Sequence, residues 1–311
     1  MLALNLSSSN CSLVYSANDV AVAKCLVGIN ICTSLLGSLG NMLVCRAVFS
    51  SKDMTSSFHY FVSSLAAADL VNALVVQPLL IALIMAHIKS QCIPDDQTVI
   101  STVFRVVSNF ACAVSLLTLV LIALDRCLIV SPHFDYNNTM TARKKIVLAV
   151  VWLLACAYST VRLTIHKKIT SYLSAAVFGL CYAGMIVCYA VVHHRISRQL
   201  KLLANKTRTE AAEVQELKTE NIATERGFAR TIVLVLIVFT GGWSLFFYLR
   251  LTQPEKDYGI MYNVARTVAF STSAINPALY CFNNKEYRRA FKRILSSFLF
   301  GWRRDGYERI M

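Results

Sequence analysis

Three polar sites that could carry chemistry interrupt long apolar stretches of the sequence. Asp69 follows three alanines, the pair Asp125-Arg126 ends a second apolar stretch, and Asn276-Pro277 breaks a third. A charged side chain inside a membrane must face a protein interior and meet a partner there. An intramembrane enzyme would need two acidic residues or a histidine cluster at depth. Because Asp69 is the only acidic residue near the middle of such a stretch, the pattern argues against catalysis.

Seven apolar stretches must position these side chains. Each is long enough to cross a bilayer at about 20 residues, and they lie near 24–49, 57–86, 98–130, 144–165, 172–203, 227–251 and 259–282. Hydrophobic residues make up 56% and charged residues 15% of the 311 residues, which is less charge than in a soluble protein of this size. The sequence therefore predicts an all-α membrane protein, with a seven-transmembrane-helix bundle over 24–282, an extracellular segment 1–23 and a cytoplasmic segment 283–311.

The charge distribution sets the expected orientation. The net charge is +14, and most lysines and arginines fall on the side of the spans that carries the C-terminus. By the positive-inside rule, the N-terminus lies outside and the C-terminus in the cytosol. The basic face would therefore meet anionic membrane lipids or an acidic cytosolic partner, and nucleic acid is not expected as a partner.

The expected outer side includes candidates for glycosylation and for a disulfide. Asn5 and Asn10 each begin an Asn-X-Ser acceptor sequence for N-glycosylation. Cys11 and Cys92 both lie in the oxidising compartment, and we expect them to form a disulfide. Two alternatives stay open: Cys25 competes as a partner, or both thiols remain unpaired.

The segment after Tyr280 predicts a further short helix. Apolar side chains recur there at spacings of three or four residues, opposite several lysines and arginines: Tyr287, Phe291, Leu295 and Phe298. That pattern is typical of an amphipathic helix that lies on the inner leaflet of a membrane. A solvated basic tail is the alternative.

One marker residue on each span, taken in order, resembles the rhodopsin-like (class A) G-protein-coupled receptors: Asn41, Asp69, Arg126, Trp152, Tyr189, Trp243 and Pro277. Asp125-Arg126-Cys127 is similar to the family's Asp-Arg-Tyr motif, and Asn276-Pro277-Ala278-Leu279-Tyr280 to the signature of its last helix. The resemblance covers about residues 24–295. A short second outer loop and the absence of the usual span-five proline resemble the melanocortin receptors, in the branch that also holds cannabinoid and adenosine receptors.

The resemblance implies a receptor of the plasma membrane rather than an enzyme. An extracellular ligand, either a small molecule or a peptide, would bind between the outer helix ends, and a heterotrimeric G protein would bind at the cytosolic ends. Asp125 and Glu225 would hold Arg126 until the sixth helix moves outward and exposes it. The residues implied in coupling and switching are Asp125, Arg126, Tyr189, Glu225, Phe239, Trp243, Asn276, Pro277 and Tyr280.

The resemblance also implies one bound ion. Asp69, Ser115, Ser273 and Asn276 match the positions that form a sodium-binding pocket in this family. A purely structural hydrogen-bond network is the alternative, and it also keeps Asp69 inside the bundle. No other cofactor is expected.

Several positions depart from the family pattern. The usual prolines of spans five and six are Cys181 and Leu245, so both helices lose their built-in kink, and Gly241-Gly242 is expected to restore some flexibility. Ser108 stands where amine receptors carry an Asp, and Phe270 where opsins carry the retinal-binding Lys. Neither a biogenic amine nor retinal is therefore expected as the ligand.

Four arginines predict the chemistry of the ligand. Arg105, Arg162, Arg250 and Arg266 lie at the expected outer ends of spans three, four, six and seven. Around one vestibule they would favour a carboxylate, a phosphate or an acidic peptide. The predicted ligand-binding set also includes Gln77, Ser108 and Tyr262, with Trp243 on the deeper floor. Alternatively, the arginines reach lipid headgroups or pair with Asp95, Asp96, Glu255 and Asp257.

Two other functions stay open. A seven-helix transporter or channel would show an inverted repeat or paired broken helices at matching positions, and neither is visible in the sequence. The second alternative is a receptor homologue that no longer signals, which the missing prolines of spans five and six leave open.

Overall fold

The computed structural model describes residues 15–51, 54–90, 99–131, 141–205, 212–253 and 259–308. The side chains of 90, 167, 200, 202–225 and 298–308 lie outside this description. Within the described ranges the chain is helical and contains no β-strand. We refer to the two ends of the helix bundle as the Tyr15 end, where the first helix begins, and the α8 end, where the last helix lies.

Eight helical segments follow one another in the described chain. They are α1 (Ala17–Ser50), α2 (in three parts, Ser57–Val71, Asn72–Val76 and Gln77–Ser90), α3 (Val99–Ile129), α4 (Ala142–Val161), α5 (Lys167–Asn205), α6 (Ala212–Thr252), α7 (in three parts, Ile260–Ser271, Thr272–Ala274 and Asn276–Asn283) and α8 (Lys285–Glu308). By length and composition, α1 to α6 can each cross a bilayer. The all-α fold of seven bundle helices and a short eighth helix is confirmed.

Some helix ends differ from the expected spans. α1 begins at Ala17 rather than near 24, because Ser16 and Asp19 form a capping box with N–H to oxygen distances of 2.9 and 3.2 Å. α4 ends at Val161 and α5 begins at Lys167, so their connection lies at 162–166 instead of 166–171. Towards the α8 end, α5 extends to Asn205 and α6 begins at Ala212, as the helical composition of that region predicted.

The bundle exposes apolar side chains and buries polar ones. Leu39, Leu153 and Leu180 are 64%, 69% and 75% exposed, whereas Asn30 and Asn41 are fully buried. Such a distribution would be unfavourable in water, but it suits a protein whose surroundings are lipid tails.

α2 contains a π-helical turn that the sequence analysis did not predict. The Gln77 N–H donates to the Asn72 carbonyl, one residue further back than in an α-helix, and Pro78 has no N–H to donate. The Ala73 carbonyl is thus freed, and Ser34 on α1 donates its hydroxyl to it over 2.7 Å.

α7 is interrupted near Pro277, after a 3₁₀ turn over Thr272–Ala274. This proline leaves the Ser273 carbonyl without its usual donor four residues later, and Asn41 Nδ2 on α1 supplies one at 3.1 Å. The two helices approach closely here, because a Cβ on Gly40 would lie 2.8 Å from the Pro277 Cγ. Ser34 and Asn41 stand seven residues apart on α1 and therefore lie on one face of that helix. This face supplies the hydrogen-bond donors for the freed carbonyls of Ala73 in α2 and Ser273 in α7.

α8 packs on the bundle through one side only. Tyr287 is fully buried and Ala290 and Ile294 are nearly so, whereas Leu295 is 48% exposed. Among the residues that predicted this helix, Tyr287 and Phe291 face each other edge-on at 6.3 Å between ring centroids, and the Phe298 side chain lies outside the description. The expected amphipathic helix is present.

Candidate functional site

The α8 end of the bundle holds Asp125 in a buried polar cluster. Asp125 and Arg126 stand side by side on α3, are 3% and 1% exposed, and contact each other through Arg126 Nη2. The Ser57 hydroxyl at the start of α2 lies 2.9 and 2.8 Å from the two carboxylate oxygens of Asp125. Lys144 Nζ on α4 lies 3.3 Å from Oδ1. One carboxylate therefore joins α2, α3 and α4.

Two aromatic rings cover Arg126. Its guanidinium carbon lies 5.5 Å from the ring centroid of Phe58 on α2 and 5.6 Å from that of Phe228 on α6. The two rings stack on each other at 4.2 Å. Cation–π attraction and burial thus keep the charge of Arg126 inside the bundle. Any movement of α6 that carries Phe228 away would expose the guanidinium.

Glu225, the expected α6 partner of Arg126, lies on the helix, but its side chain is outside the described part of the chain. Its restraining role stays a prediction. The structure places Phe228 against Arg126, and sequence reasoning missed this residue together with Ser57 and Lys144. Their positions near helix ends were visible in the sequence, but spacing along one helix does not reveal which neighbouring helix a side chain faces.

Two tyrosines of the expected switch have buried hydroxyls. Tyr189 on α5 and Tyr280 on α7 are 8% and 0% exposed, and neither hydroxyl has a hydrogen-bond partner among the described residues. Their roles in switching stay predictions.

Asp69 lies in a polar network at mid-bundle. Asn276 Nδ2 donates to Asp69 Oδ2 over 2.8 Å and so joins α7 to α2. Asn72 Nδ2 donates to the Ser273 hydroxyl at 2.7 Å and to the Phe270 carbonyl at 2.9 Å. The side chains that the sequence analysis grouped around Asp69 are thus brought together, apart from Ser115, which approaches from α3 across a small cavity.

This small cavity has room for one ion. Its volume is about 30 Å³, whereas a water-sized occupant needs about 10–15 Å³. Asp69, Ser115 and Ser273 line it with carboxylate and hydroxyl oxygens, the ligands that hard cations take. Asn276 turns its amide N–H towards Asp69, so that group orients the carboxylate rather than binding a cation. The residues fit a sodium ion, whose chemistry here would be to neutralise the Asp69 carboxylate.

Trp243 separates the small cavity from a larger one towards the Tyr15 end. Trp243, Phe270 and Cys112 line both cavities. The Trp243 ring lies 5.7 Å from Phe239 on the same helix and 5.8 Å from Phe270 on α7. Trp243 and Phe270 line the large cavity where the two cavities meet, whereas Phe239 lines only the small one.

The large cavity brings together all four arginines predicted to surround a vestibule. Its volume is about 370 Å³, and it is lined by residues of α3, α4, α5, α6 and α7. Arg105, Arg162, Arg250 and Arg266 line it together with Ser108. None of its lining residues, all drawn from the described part of the chain, is an Asp or a Glu. Four guanidinium groups therefore line the cavity at its Tyr15 end.

Two residues of the predicted ligand-binding set lie elsewhere. Gln77 is fully buried and donates to the Thr33 hydroxyl on α1 over 2.8 Å, because the π-helical turn orients it away from the cavity. Tyr262 donates its hydroxyl to the carbonyls of Leu249 and Gln253 at 3.0 and 2.8 Å, so it fastens α7 to the end of α6. Neither residue lines the large cavity.

Arg162 and Arg266 have neutral or aromatic side chains among their contacts. Arg162 Nη1 donates to Asn109 Oδ1 over 2.7 Å and to the Tyr158 hydroxyl at 3.4 Å. The Arg266 guanidinium lies 5.2 Å from the ring centroid of Phe104. The alternative acidic partners of the arginines lie outside the described residues: Asp95, Asp96, Glu255 and Asp257.

The predicted glycosylation and disulfide sites also lie outside the described residues: Asn5, Asn10, Cys11 and Cys92. Glycosylation and the disulfide therefore stay predictions.

The chain is similar to known membrane receptors. The family model described as "7 transmembrane receptor (rhodopsin family)" matches residues 40–171. Melanocortin receptor 4 of Danio rerio is 26% identical over 271 residues, which cover 84% of this chain and 80% of that receptor. Melanocortin receptor 5 of Rattus norvegicus is 24% identical over 291 residues, which cover 90% and 86%. The chain is similar to the rhodopsin family of seven-transmembrane receptors. 

The receptor also shares its fold with a solved structure of squid rhodopsin. The TM-score is 0.75 at 18% sequence identity, over 94% of this chain and 91% of that one. That likeness shows the fold. The resemblance to the rhodopsin-like receptors and their melanocortin branch is confirmed by the family match and by the melanocortin relatives, which are receptors rather than enzymes. The receptor is a multi-pass membrane protein. The roles of its individual residues, and its domain boundaries, stay predictions.

Proposed function

We propose that the receptor lies in the plasma membrane with its Tyr15 end outside, binds an anionic ligand in the large cavity and activates a heterotrimeric G protein at the α8 end. The orientation is supported by the lysines and arginines concentrated on the C-terminal side of the spans. The coupling is supported by the similarity of the chain to the rhodopsin family of receptors.

The observation that carries this proposal is that α6 reaches from the large cavity to Arg126 as one helix. Arg250 and Trp243 of α6 line the cavity, and Phe228 of the same helix covers Arg126. Arg250 and Phe228 are 22 residues apart, which is about 33 Å along a helix. A ligand that favours another position of Arg250 or Trp243 therefore also moves the ring that shields Arg126.

The structure has the properties of the resting state in this scheme. Arg126 is buried under Phe58 and Phe228 and contacts Asp125, so a G protein cannot reach its guanidinium. Ligand binding would shift the population towards a state in which α6 has moved outward. No chemical bond is made or broken.

The lining of the large cavity supports an anion over an amine or retinal. Ser108 and Phe270, the positions where amine receptors carry an Asp and opsins a Lys, both line it. A protonated amine would meet four guanidinium groups there and no described carboxylate.

Nucleotide exchange on a panel of G proteins tests the proposal. We expect one or more carboxylates or phosphates to stimulate exchange and the corresponding amines to have no effect. Arg266→Gln should weaken the active anion by one to two orders of magnitude, which is roughly 1.5–3 kcal/mol for a charge-assisted bond. Arg143, exposed on α4 at the opposite end, provides the charge-matched control as Arg143→Gln.

Arg126→Ala tests the coupling end separately. It should abolish stimulated exchange while leaving surface expression and anion binding unchanged. A cationic agonist, an unchanged potency in Arg266→Gln, or full signalling by Arg126→Ala would contradict the proposal.

A further inference from the structure

The large cavity has two chemically different ends. At the Tyr15 end it is lined by arginines, whereas at its deep end it is lined by Leu117 on α3, Leu154 on α4 and Val177 on α5. No charged residue lines the deep end among the described residues. A ligand that fills the whole cavity must therefore have a polar anionic end and a long apolar end.

The cavity is about as deep as half a bilayer. Arg105 and Leu117 line it twelve residues apart on α3, which corresponds to about 18 Å along the helix. Leu154 on α4 and Arg162, directly after the end of α4, line it eight residues apart, about 12 Å. The hydrocarbon core of a bilayer is about 30 Å thick, so each leaflet contributes about 15 Å. We call the apolar part of the cavity, lined by Leu117, Leu154 and Val177, the channel. An acyl chain from one leaflet is about as long as this channel.

The deep end of the cavity also reaches the lipid-facing surface. Leu154 and Val177 both line the cavity, and yet they are 57% and 42% exposed. α4 and α5 each pack along α3 but make scarcely any contact with each other. The cavity therefore opens sideways between α4 and α5, into the space that lipid tails would fill.

One hydrogen bond closes this gap near the arginines. The hydroxyls of Tyr158 on α4 and Ser174 on α5 lie 2.7 Å apart. Because Ser174 also lies 2.5 Å from the Thr170 carbonyl and donates its single hydrogen there, Tyr158 is the donor to Ser174. The Tyr158 hydroxyl is in turn an acceptor for Arg162 Nη1. The closure of the gap is thus linked to the guanidinium that would bind the head group.

We propose that the receptor's ligand is an anionic amphiphile that enters from the membrane between α4 and α5. Its carboxylate or phosphate head binds Arg162 and the neighbouring arginines, and its single apolar chain lies in the channel between Arg162 and Leu154. This inference rests on the proposed function, because it names the class of anion that the same cavity takes.

The direct test is photocrosslinking of the full-length receptor in phosphatidylcholine nanodiscs. The probes are dodecanoate and dodecyl phosphate with a diazirine at the chain end, and dodecyltrimethylammonium with the same chain is the head-group control. Saturable crosslinks are expected with the two anions, on α4 and α5 close to Leu154 and Val177. A preference for one anion distinguishes a fatty-acid ligand from a lipid phosphate, and either result supports the proposal.

A matched pair of substitutions tests the channel. Leu154→Trp fills the sideways opening, whereas Leu153→Trp adds the same side chain at a position that is 69% exposed and does not line the cavity. We expect Leu154→Trp to weaken both long-chain anions by about tenfold or more. Leu153→Trp should leave their binding within about twofold of the unmodified receptor.

The hydrogen bond across the gap is tested by the rate of binding. Tyr158→Phe removes the bridge to Ser174 but keeps the ring, so association of dodecanoate should become several-fold faster. Tyr248→Phe, at an exposed α6 position, is the control and should leave the rate unchanged.

The outcomes separate this inference from the proposed function. If acetate or inorganic phosphate acts as strongly as the long-chain anions and Leu154→Trp has no effect, the amphiphile inference is wrong while the anion receptor stands. If long-chain anions crosslink saturably but no G protein responds, the amphiphile stands and the coupling is wrong. Equal binding of the ammonium probe, or no saturable crosslinking, overturns the inference.

Discussion

Gly242 on α6 lies against Thr272 on α7 so closely that there is no room for a Cβ between them. An added Cβ would overlap the Thr272 Cγ2 atom and would lie 3.5 Å from the Val268 carbonyl oxygen. At Gly241, one residue earlier, an added Cβ would meet nothing within 4 Å. The two glycines thus differ: Gly242 permits close packing of α6 on α7, and α6 continues through both without a break.

The first prediction uses this pair of glycines. Gly242→Ala should destabilise the receptor by about 1–3 kcal/mol, the usual cost of overpacking. Gly241→Ala should be neutral or stabilise it by up to about 1 kcal/mol, because Ala favours a helix over Gly. Thermal unfolding in detergent, followed by intrinsic tryptophan fluorescence, measures both.

Thr272→Ser provides the internal control, because it removes Cγ2 and keeps the hydroxyl that donates to the Ala269 carbonyl at 2.7 Å. Combined with Gly242→Ala, it should restore much of the lost stability. Equal effects of alanine at the two glycines would show that the close contact is not what matters.

The second prediction concerns the ring that covers Arg126. Phe228→Ala should raise ligand-free nucleotide exchange several-fold, because it removes a cation–π contact worth about 0.5–2 kcal/mol from the closed state. Phe228→Leu, which keeps the bulk without the ring, should have an intermediate effect. Ile237→Ala, at a lipid-facing position of the same helix that is 59% exposed, is the control. Basal exchange that stays unchanged in Phe228→Ala would exclude this shielding role.

The third prediction separates two neighbouring lysines on α4. Lys144 lies 3.3 Å from Asp125 Oδ1 and is nearly fully buried, whereas Lys145 is exposed. Removing one partner of a buried ion pair costs about 3–5 kcal/mol, so Lys144→Gln should lower the unfolding temperature markedly. Lys145→Gln should change it little, because exposed charges contribute about 0–1 kcal/mol. The prediction fails if both variants melt alike.

The fourth prediction tests the small cavity with and without its ion. Sodium chloride should raise the unfolding temperature of the ligand-free receptor above its value in choline chloride at the same ionic strength. Asp69→Asn removes the negative charge but keeps an oxygen that can accept from Asn276 Nδ2, so the bundle should fold while the sodium effect disappears. If sodium raises the unfolding temperature of Asp69→Asn by the same amount, the ion binds elsewhere. If sodium has no effect on the unmodified receptor, the polar residues around the small cavity form a hydrogen-bond network without an ion.

The sequence predicted the elements better than the contacts between them. The spans, the amphipathic α8 and the helical extensions of α5 and α6 follow from apolar length and local spacing, which are properties of one segment at a time. Gln77 is a residue whose contacts could not be predicted from its own segment. It was expected in the ligand pocket, but the π-helical turn before Pro78 rotates it towards Thr33 on α1. The π-helical turn that rotates Gln77 frees the Ala73 carbonyl, and the turn depends on Ser34 of α1 donating a hydrogen bond to that carbonyl.

The sequence by itself determined that this is a membrane bundle with Asp69 at mid-depth, Arg126 near one end and four arginines near the other. Depth follows from residue number, since each helical residue advances by about 1.5 Å. Only the tertiary structure decided which side chains share an interior: Ser57 and Lys144 around Asp125, Phe228 over Arg126, and the four arginines around one cavity. The physical reason is that spacing gives height along a helix, whereas packing between helices sets the direction in which each side chain points.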